Sequence, residues 1–206
     1  MSLGMLFIIA AASGTGKTSL AKALSTTLDD IVISISHTTR SLRAGEQNEL
    51  SYFFVDRSEF ENMVQNSEFL EHAEVFDHYY GTTKKWVLEQ LKSGKDVILD
   101  IDWQGAEKVR NAMPGSTVSI FLLPPSKQAL KQRLKTRNRD SEEVVLDRLS
   151  KASFEITHYK DFDYLIVNDN FEKALIDLQN IVCAHRLKCS RQAVKYDKLL
   201  KELIKN

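Results

Sequence analysis

The sequence predicts an α/β fold with a central parallel five-stranded sheet, on two observations. Short apolar runs rich in β-branched residues recur at Leu6–Ala11, Ile31–Ser36, Asp96–Ile101, Val118–Leu123 and Tyr164–Asn168. Stretches of helical period separate most of them, and continuous apolar strands alternating with helices indicate a parallel sheet covered on both faces. Composition agrees. The 206 residues are 43% hydrophobic and 27% charged, as in a soluble globular protein large enough for a sizeable core, which argues against disorder.

The elements follow in order. The run at Leu6–Ala11 leads through a Gly-rich turn into an amphipathic helix carrying Leu20, Ala21, Leu24 and Leu28. After the strand at Ile31–Ser36 the pattern turns polar from Arg40 to Tyr80. Short strands at Ser51–Val55 and Phe69–Val75 surround one short helix, for which Ser58 and Glu61 form a capping box. This stretch reads as a small mixed insertion. The helix "WVLEQLKSG" ends at Gly94, and Ser126 opens the helix "SKQALKQRL". Residues 133–148 are helical and arginine-rich with almost no core-forming face, so they read as an exposed, mobile flap. From Phe171 onward Ala174, Leu175, Leu178, Ile181 and Val182 share one face, predicting a long packed helix. The absence of repeats, low-complexity tracts and long linkers predicts a single folded unit.

Lys plus Arg and Asp plus Glu each number 28, and this balance argues against a nucleic-acid binder held by bulk positive charge. Anion recognition is therefore expected to be local. Cys183 and Cys189 suit neither a metal clip nor a disulfide framework and read as reduced thiols with a structural role. The start "MSLGMLFIIAA" has no basic region ahead of its short apolar run, so a cytoplasmic location without membrane association is expected. A homo-oligomer is compatible with the sequence. The Lys-rich tail "KYDKLLKELIKN" reads as a solvated terminal helix.

The stretch from Ala11 to Thr18 nearly matches the phosphate-binding pattern G-x-x-x-x-G-K-[ST], with Ala11 at the first glycine position. Gly14 and Gly16 let backbone N–H groups turn around phosphate oxygens. The following helix adds its N-terminal dipole, Lys17 a mobile cation, and Thr18 a hydroxyl suited to Mg²⁺. The loop sits between an apolar strand and an amphipathic helix, as the mechanism requires, so it is expected to hold a nucleoside triphosphate.

Other charges narrow the reading. "VILDIDWQG" ends a strand with Asp100 and Asp102 beside the loop, a position suited to Mg²⁺ through water; alternatively one of them caps the next helix. Arg133, Arg137 and Arg148, spaced by four and eleven, fall on one side of a continuous or nearly continuous helix. Such a row neutralises charge on a phosphoryl group in transfer, the alternative being a solvated surface. Arg40 and Arg43 with two phenols from among Tyr52, Tyr79 and Tyr80 suit a phosphate monoester. A buried carboxylate at Glu71, near Thr82, suits a ring with adjacent N–H donors, as guanine has and adenine has not.

With these residues placed, the chain resembles the guanylate kinase family, in its bacterial form. "SGTGKTSL", "SHTTR", "RAGE", "EFLEHAEVF", "YYGT", "LDIDWQG", "LPPS", "DSEEV" and "YLIVND" occur in family order over nearly the whole length. The resemblance implies a P-loop three-layer α/β fold with an NMP-binding insertion and a helical lid. It implies a core of residues 1–36, 81–125 and 160–206, a GMP-binding region at 37–80, and a lid with adjoining helices at 126–159. The implied reaction is Mg²⁺-dependent transfer from ATP to GMP or dGMP, giving ADP and GDP, in purine metabolism and salvage.

By position, the resemblance puts Arg40, Arg43, Tyr52 and Tyr80 on the GMP phosphate. Ser36, Glu71, Thr82 and Asp102 then face guanine, with Asp100 close to the metal and its waters. ATP falls to Ala11, Ala12, Ser13, Gly14, Thr15, Gly16, Lys17, Thr18 and Ser19, with Asn168 on the adenine side. Lys17, Arg133, Arg137 and Arg148 bear on the phosphates in transfer. The chain departs from the family pattern at Ala12 for a Pro, and at Glu49 and Asn138 for glycines. Rival readings are a non-catalytic module of similar fold that binds phosphorylated peptides, and a kinase for AMP or a pyrimidine monophosphate. The intact loop argues against the first, and Glu71 with Ser36 and Thr82 against the second.

Overall fold

Leu6–Ala11 forms strand β1, whose residues Leu6 to Ala10 are fully buried because both faces are covered. The computed structural model describes residues 4–43, 45–75, 77–138 and 142–205, with the backbone alone described at 136–138. After β1 come α1 (Lys17–Thr27), β2 (Ile31–Ile33), β3 (His37–Thr38), β4 (Phe53–Phe54) and α2 (Arg57–Gln65). The chain continues through β5 (Phe69–Val75), β6 (His78–Thr83), α3 (Lys84–Lys92), β7 (Asp96–Asp100) and α4 (Trp103–Ala112). Next are β8 (Thr117–Leu123), α5 (Lys127–Asn138), α6 (Glu142–Thr157) and β9 (Tyr164–Val167). Helices α7 (Phe171–Arg186), α8 (Cys189–Lys195) and α9 (Asp197–Leu203) follow.

The expected five-stranded sheet is present, in the order β2-β7-β1-β8-β9 with every pairing parallel. Alternate residues of β1 feed opposite layers. Phe7 and Ile9 pack with Leu20 and Leu24 of α1 and Leu178 and Val182 of α7, while Leu6 and Ile8 pack with Val87 of α3 and Val109 of α4. Each such fully buried side chain contributes roughly 1.5–3 kcal/mol. In register, Ile9 stands beside Asp100, so the turn after β1 and the acidic end of β7 emerge at the same edge of the sheet. That edge is where open parallel sheets bind ligands.

A second sheet, in the order β4-β3-β6-β5, forms the insertion. β3 and β6 were not legible as strands, because His, Thr and Tyr side chains give no apolar alternation there. The strand within Ser51–Val55 is only Phe53–Phe54, since its partner β3 is two residues long. Similarly, β2 stops at Ile33 rather than Ser36. The expected capping box is corrected too. Asp56 is the N-cap of α2, its carboxylate accepting the Glu59 N–H at 2.8 Å, so the helix is capped before Ser58. Ser126 does open α5, its hydroxyl accepting the Ala129 N–H at 3.0 Å.

The stretch expected to be exposed with almost no core-forming face instead carries one. Leu130 and Leu134 of α5 pack with Val145, Leu149 and Ala152 of α6 and with Ala12 in a third buried cluster. The apolar residues are divided between two helices, each contributing a narrow stripe, so neither stripe stands out in the charged sequence. Because Leu130 and Leu134 of α5 pack side by side with Val145 and Leu149 of α6, Arg133 and Arg148 stand on two packed helices rather than in one row. The Arg137 side chain lies outside the described residues, as does that of Asn138. Cys183 and Cys189, on α7 and α8, are free thiols as expected, and both are exposed. Among the described residues no helix is long and apolar enough to cross a membrane.

Candidate active site

The turn after β1 is built by its glycines. Gly14 and Gly16 have φ of +88° and +98°, left-handed values that side chains with a Cβ disfavour. Thr15, fully buried between them, donates its N–H to the Ala12 carbonyl at 3.2 Å. The loop is held from the far side by Asn168, whose amide donates to the Thr15 carbonyl at 2.7 Å. Asn168 is itself 5% exposed, and its carbonyl accepts Arg133 Nη2 at 3.0 Å. Helix α1 begins at Lys17 without a side-chain cap, which leaves its first N–H groups and dipole for an anion. A cavity of about 350 Å³ lies over Ala11 to Ser19, bordered by Asp102 and Glu155.

Lys17 reaches across the sheet edge. Its ammonium lies 2.7 Å from Asp100 Oδ1 and donates to the Ile101 carbonyl at 2.7 Å. Both residues, with Ser13, Thr18 and Arg148, line a further cavity of about 220 Å³ that continues to Ser36, Arg43, Tyr52, Glu71, Tyr80 and Asp102. Thus the structure brings the phosphate loop, the strand-end carboxylates and the polar insertion around one space.

On the insertion side, Arg40 forms a two-pronged ion pair with Glu46, at 3.0 Å and 2.8 Å. Glu46 also accepts the Arg43 backbone N–H at 2.9 Å. Burial opposes the Arg40 charge, but the bonds to Glu46 and Tyr80 more than offset it and raise its pKa. The Arg40 guanidinium lies 5.4 Å from the centre of the Tyr52 ring, and the Tyr52 and Tyr80 rings are 6.0 Å apart. Burial, reinforced by the Asp100 carboxylate, pushes Tyr52 up to about 12, so it is a donor at neutral pH. Tyr79, in contrast, stacks on Phe60 and accepts a hydrogen bond from Arg57 at its hydroxyl, outside this space.

Glu71 is 4% exposed and pairs with Thr82 across the β5–β6 ladder, where a register shift between Phe69 and Glu71 marks a bulge. Alternation along β5 puts Leu70 in the main core while Glu71 faces the cavity. Ser36 Oγ and Thr82 Oγ1 lie 3.2 Å apart beside it. Burial and the nearby Asp102 carboxylate raise Glu71 to about 7, against the pull of its bond with Thr82. Asp102 lines the cavity and is also the N-cap of α4, accepting the Gly105 N–H at 2.7 Å. The capping alternative thus coexists with a place in the site.

From α6, Arg148 Nη2 donates to Ser13 Oγ at 3.1 Å, and Glu155 accepts the Ser13 N–H at 3.3 Å. Burial raises the Glu155 pKa. Glu155 and Glu46 were both missed in the sequence. For Glu46 the signal was its place in "RAGE", three residues after Arg43; Glu155 is 142 positions from its partner and has no local signal. The departures from the family pattern also have locations. Ala12 is packed in the α5–α6 cluster, and Glu49 adopts a left-handed φ of +65°.

The chain is similar to known proteins over nearly its whole length. The family model described as guanylate kinase matches residues 4–185. The guanylate kinase of Legionella pneumophila (strain Lens) is 51% identical over 201 residues, 98% of this chain and 96% of the relative. That of Methylococcus capsulatus (strain ATCC 33009 / NCIMB 11132 / Bath) is 52% identical over 204 residues, 99% of this chain and 100% of the relative. The crystal structure of guanylate kinase from Anaplasma phagocytophilum superposes with a TM-score of 0.78 at 37% identity, covering 93% of this chain and 90% of that one. With its phosphate loop, buried Glu71 and arginine–tyrosine pocket in one space, and with half its residues identical to these relatives end to end, the chain belongs to the guanylate kinase family.

Proposed function

We propose that this chain transfers the γ-phosphoryl group of ATP to GMP or dGMP, giving ADP and GDP, as a cytoplasmic enzyme of purine metabolism and salvage. One observation carries the choice of acceptor: the buried Glu71 carboxylate, flanked by Ser36 and Thr82, opens into the same cavity as Lys17 of the phosphate loop. A carboxylate accepts from guanine N1–H and the N2 amino group together. Adenine has a bare acceptor at N1 and no amino group at C2. The test is an assay of ADP release with each nucleoside monophosphate in turn.

In this reading the chain works in three parts: a core of 1–36, 81–125 and 160–206, a GMP-binding region of 37–80, and a lid of 126–159. Arg40, Arg43, Tyr52 and Tyr80 bind the GMP phosphate, with Glu46 holding the Arg40 fork in place. Ser36, Glu71, Thr82 and Asp102 read the base. Residues Ala11 to Ser19 wrap the ATP phosphates, and Asn168 acts on that side through the Thr15 carbonyl. Lys17, Arg133, Arg137 and Arg148 neutralise the charge of the group in transfer. No protein nucleophile is needed: a GMP phosphate oxygen attacks the γ-phosphorus in line, and the enzyme positions, stabilises charge and excludes water.

Mg²⁺ fits the donor set. Among the described residues no three acidic, His or Cys side chains cluster to cage a metal. The Thr18 hydroxyl and the Asp100 carboxylate line one cavity, and a hard cation that keeps its waters and binds substrate phosphates needs few protein oxygens. Thr18 would hold it directly and Asp100 through water. Its contribution when bound is to neutralise phosphate charge; alignment and water exclusion belong to the chain's own residues.

A further inference from the structure

Gly105 is the third residue of α4, and it is buried. Its φ is not among the positive values, so backbone conformation does not call for glycine here. Within a helix, alanine is the more favourable residue. Space is what calls for it. A Cβ built at Gly105 would stand 2.7 Å from Glu71 Oε2, 3.3 Å from Glu71 Cδ and 3.3 Å from Asp102 Oδ1. The first separation is below anything real Cβ atoms show, so the carboxylate would have to give by several tenths of an ångström.

Glu71 has little freedom to do so without loss. Its carboxylate is bonded to Thr82, and its strand is anchored on the core side by the neighbouring Leu70. A displaced or rotated carboxylate no longer presents both oxygens in plane to two adjacent N–H donors, and hydrogen bonds weaken steeply with misalignment. We propose that Gly105 is a positioning residue for base recognition: the absence of a side chain at this point of α4 holds open the place of the Glu71 carboxylate. The inference rests on the reading of Glu71 as the guanine acceptor.

The substitution Gly105→Ala separates this role from a general structural one, because its effect should fall on GMP alone and depend on the Glu71 carboxylate. Expected for Gly105→Ala are a KM for GMP raised about tenfold or more and a KM for ATP within about twofold of native. The second arm is a thermal-denaturation cycle with Glu71→Ala. With no carboxylate to displace, the change in Tm on Gly105→Ala should be more favourable in that background than in the native chain. An unchanged KM for GMP, equal losses for GMP and ATP with a lowered Tm, or an additive cycle would each overturn the proposal. Glu71→Gln distinguishes its failure from that of the parent reading. If Glu71→Gln impairs GMP use and Gly105→Ala does not, only the positioning role is wrong; if Glu71→Gln leaves GMP kinetics native, the base reading fails and takes this inference with it.

Discussion

Lys17 Nζ and Asp100 Oδ1 are 2.7 Å apart, joining the start of α1 to the end of β7 across the mouth of the site. The lysine side chain is only 20% exposed, yet its partners are a strand-end carboxylate and the Ile101 carbonyl, with no core packing dependent on its head group. Lys17→Ala should therefore abolish phosphoryl transfer, by on the order of a hundredfold or more, while the circular dichroism spectrum stays native. Near-full turnover by the folded variant would remove the loop from the donor site.

Glu71 titrates near neutrality because burial opposes its charge, and this fixes two pH dependences of opposite sense. Base recognition needs the ionised form, so kcat/KM for GMP should fall as pH drops below about 7. Comparison with Glu71→Gln isolates this limb from the titration of the GMP phosphate itself, which occurs near pH 6 as for other phosphomonoesters. For stability, the folded-state pKa is raised above the ordinary 4.5, so the folded chain retains a proton that the unfolded chain releases. Stability from this group falls as pH rises from 4.5 to about 7 and is level above. Glu71→Gln should raise Tm more at pH 8 than at pH 5; an equal change at both would contradict the assignment.

Helix α6 touches the phosphate loop through two bonds at Ser13, from Arg148 and to Glu155. Bound phosphates would add charge-assisted bonds to that contact. Hydrogen exchange in Val145 to Ala152 should slow when ATP analogue and GMP are both present, and slow less with either alone. Equal protection with and without the two nucleotides would count against a lid.

At Glu49 the backbone adopts φ +65°, a region that costs a residue with a Cβ roughly 1–2 kcal/mol. The Glu49 N–H donates to the Tyr52 carbonyl at 2.9 Å, so the turn leads directly to a residue of the acceptor pocket. Glu49→Gly should stabilise the chain by about 0.5–1 kcal/mol after allowing for the greater unfolded-state freedom of glycine. Chemical denaturation measures it, and destabilisation would mean that the glutamate side chain makes a compensating contact.

Legibility in the sequence followed the range of the forces involved. β1 and β5 were readable residue for residue, because continuous apolar runs or a compact alternating segment mark them locally. The phosphate loop was equally clear, since its chemistry is confined to eight consecutive residues. β3 and β6 were not, because they owe their strand conformation to pairing with each other and with neighbours rather than to apolar pattern. The α5–α6 cluster was hidden by charge, and its contact with Ala12 joins segments more than a hundred residues apart. The place of Glu71 beside Gly105, and of Glu155 beside Ser13, arises only when distant elements pack.

Discrimination among monophosphates tests the central claim most directly. Glu71, with its two acceptor oxygens buried beside Ser36 and Thr82, would face a lone pair in AMP and be left unsatisfied. Sites built to pair with polar groups reject analogues lacking them by roughly 10⁴ or more. The measurement is kcat/KM of the native chain for GMP, dGMP, AMP, CMP and UMP at saturating ATP. The account predicts GMP and dGMP far ahead, with AMP lower by about 10⁴; turnover of AMP within about tenfold of GMP would contradict it.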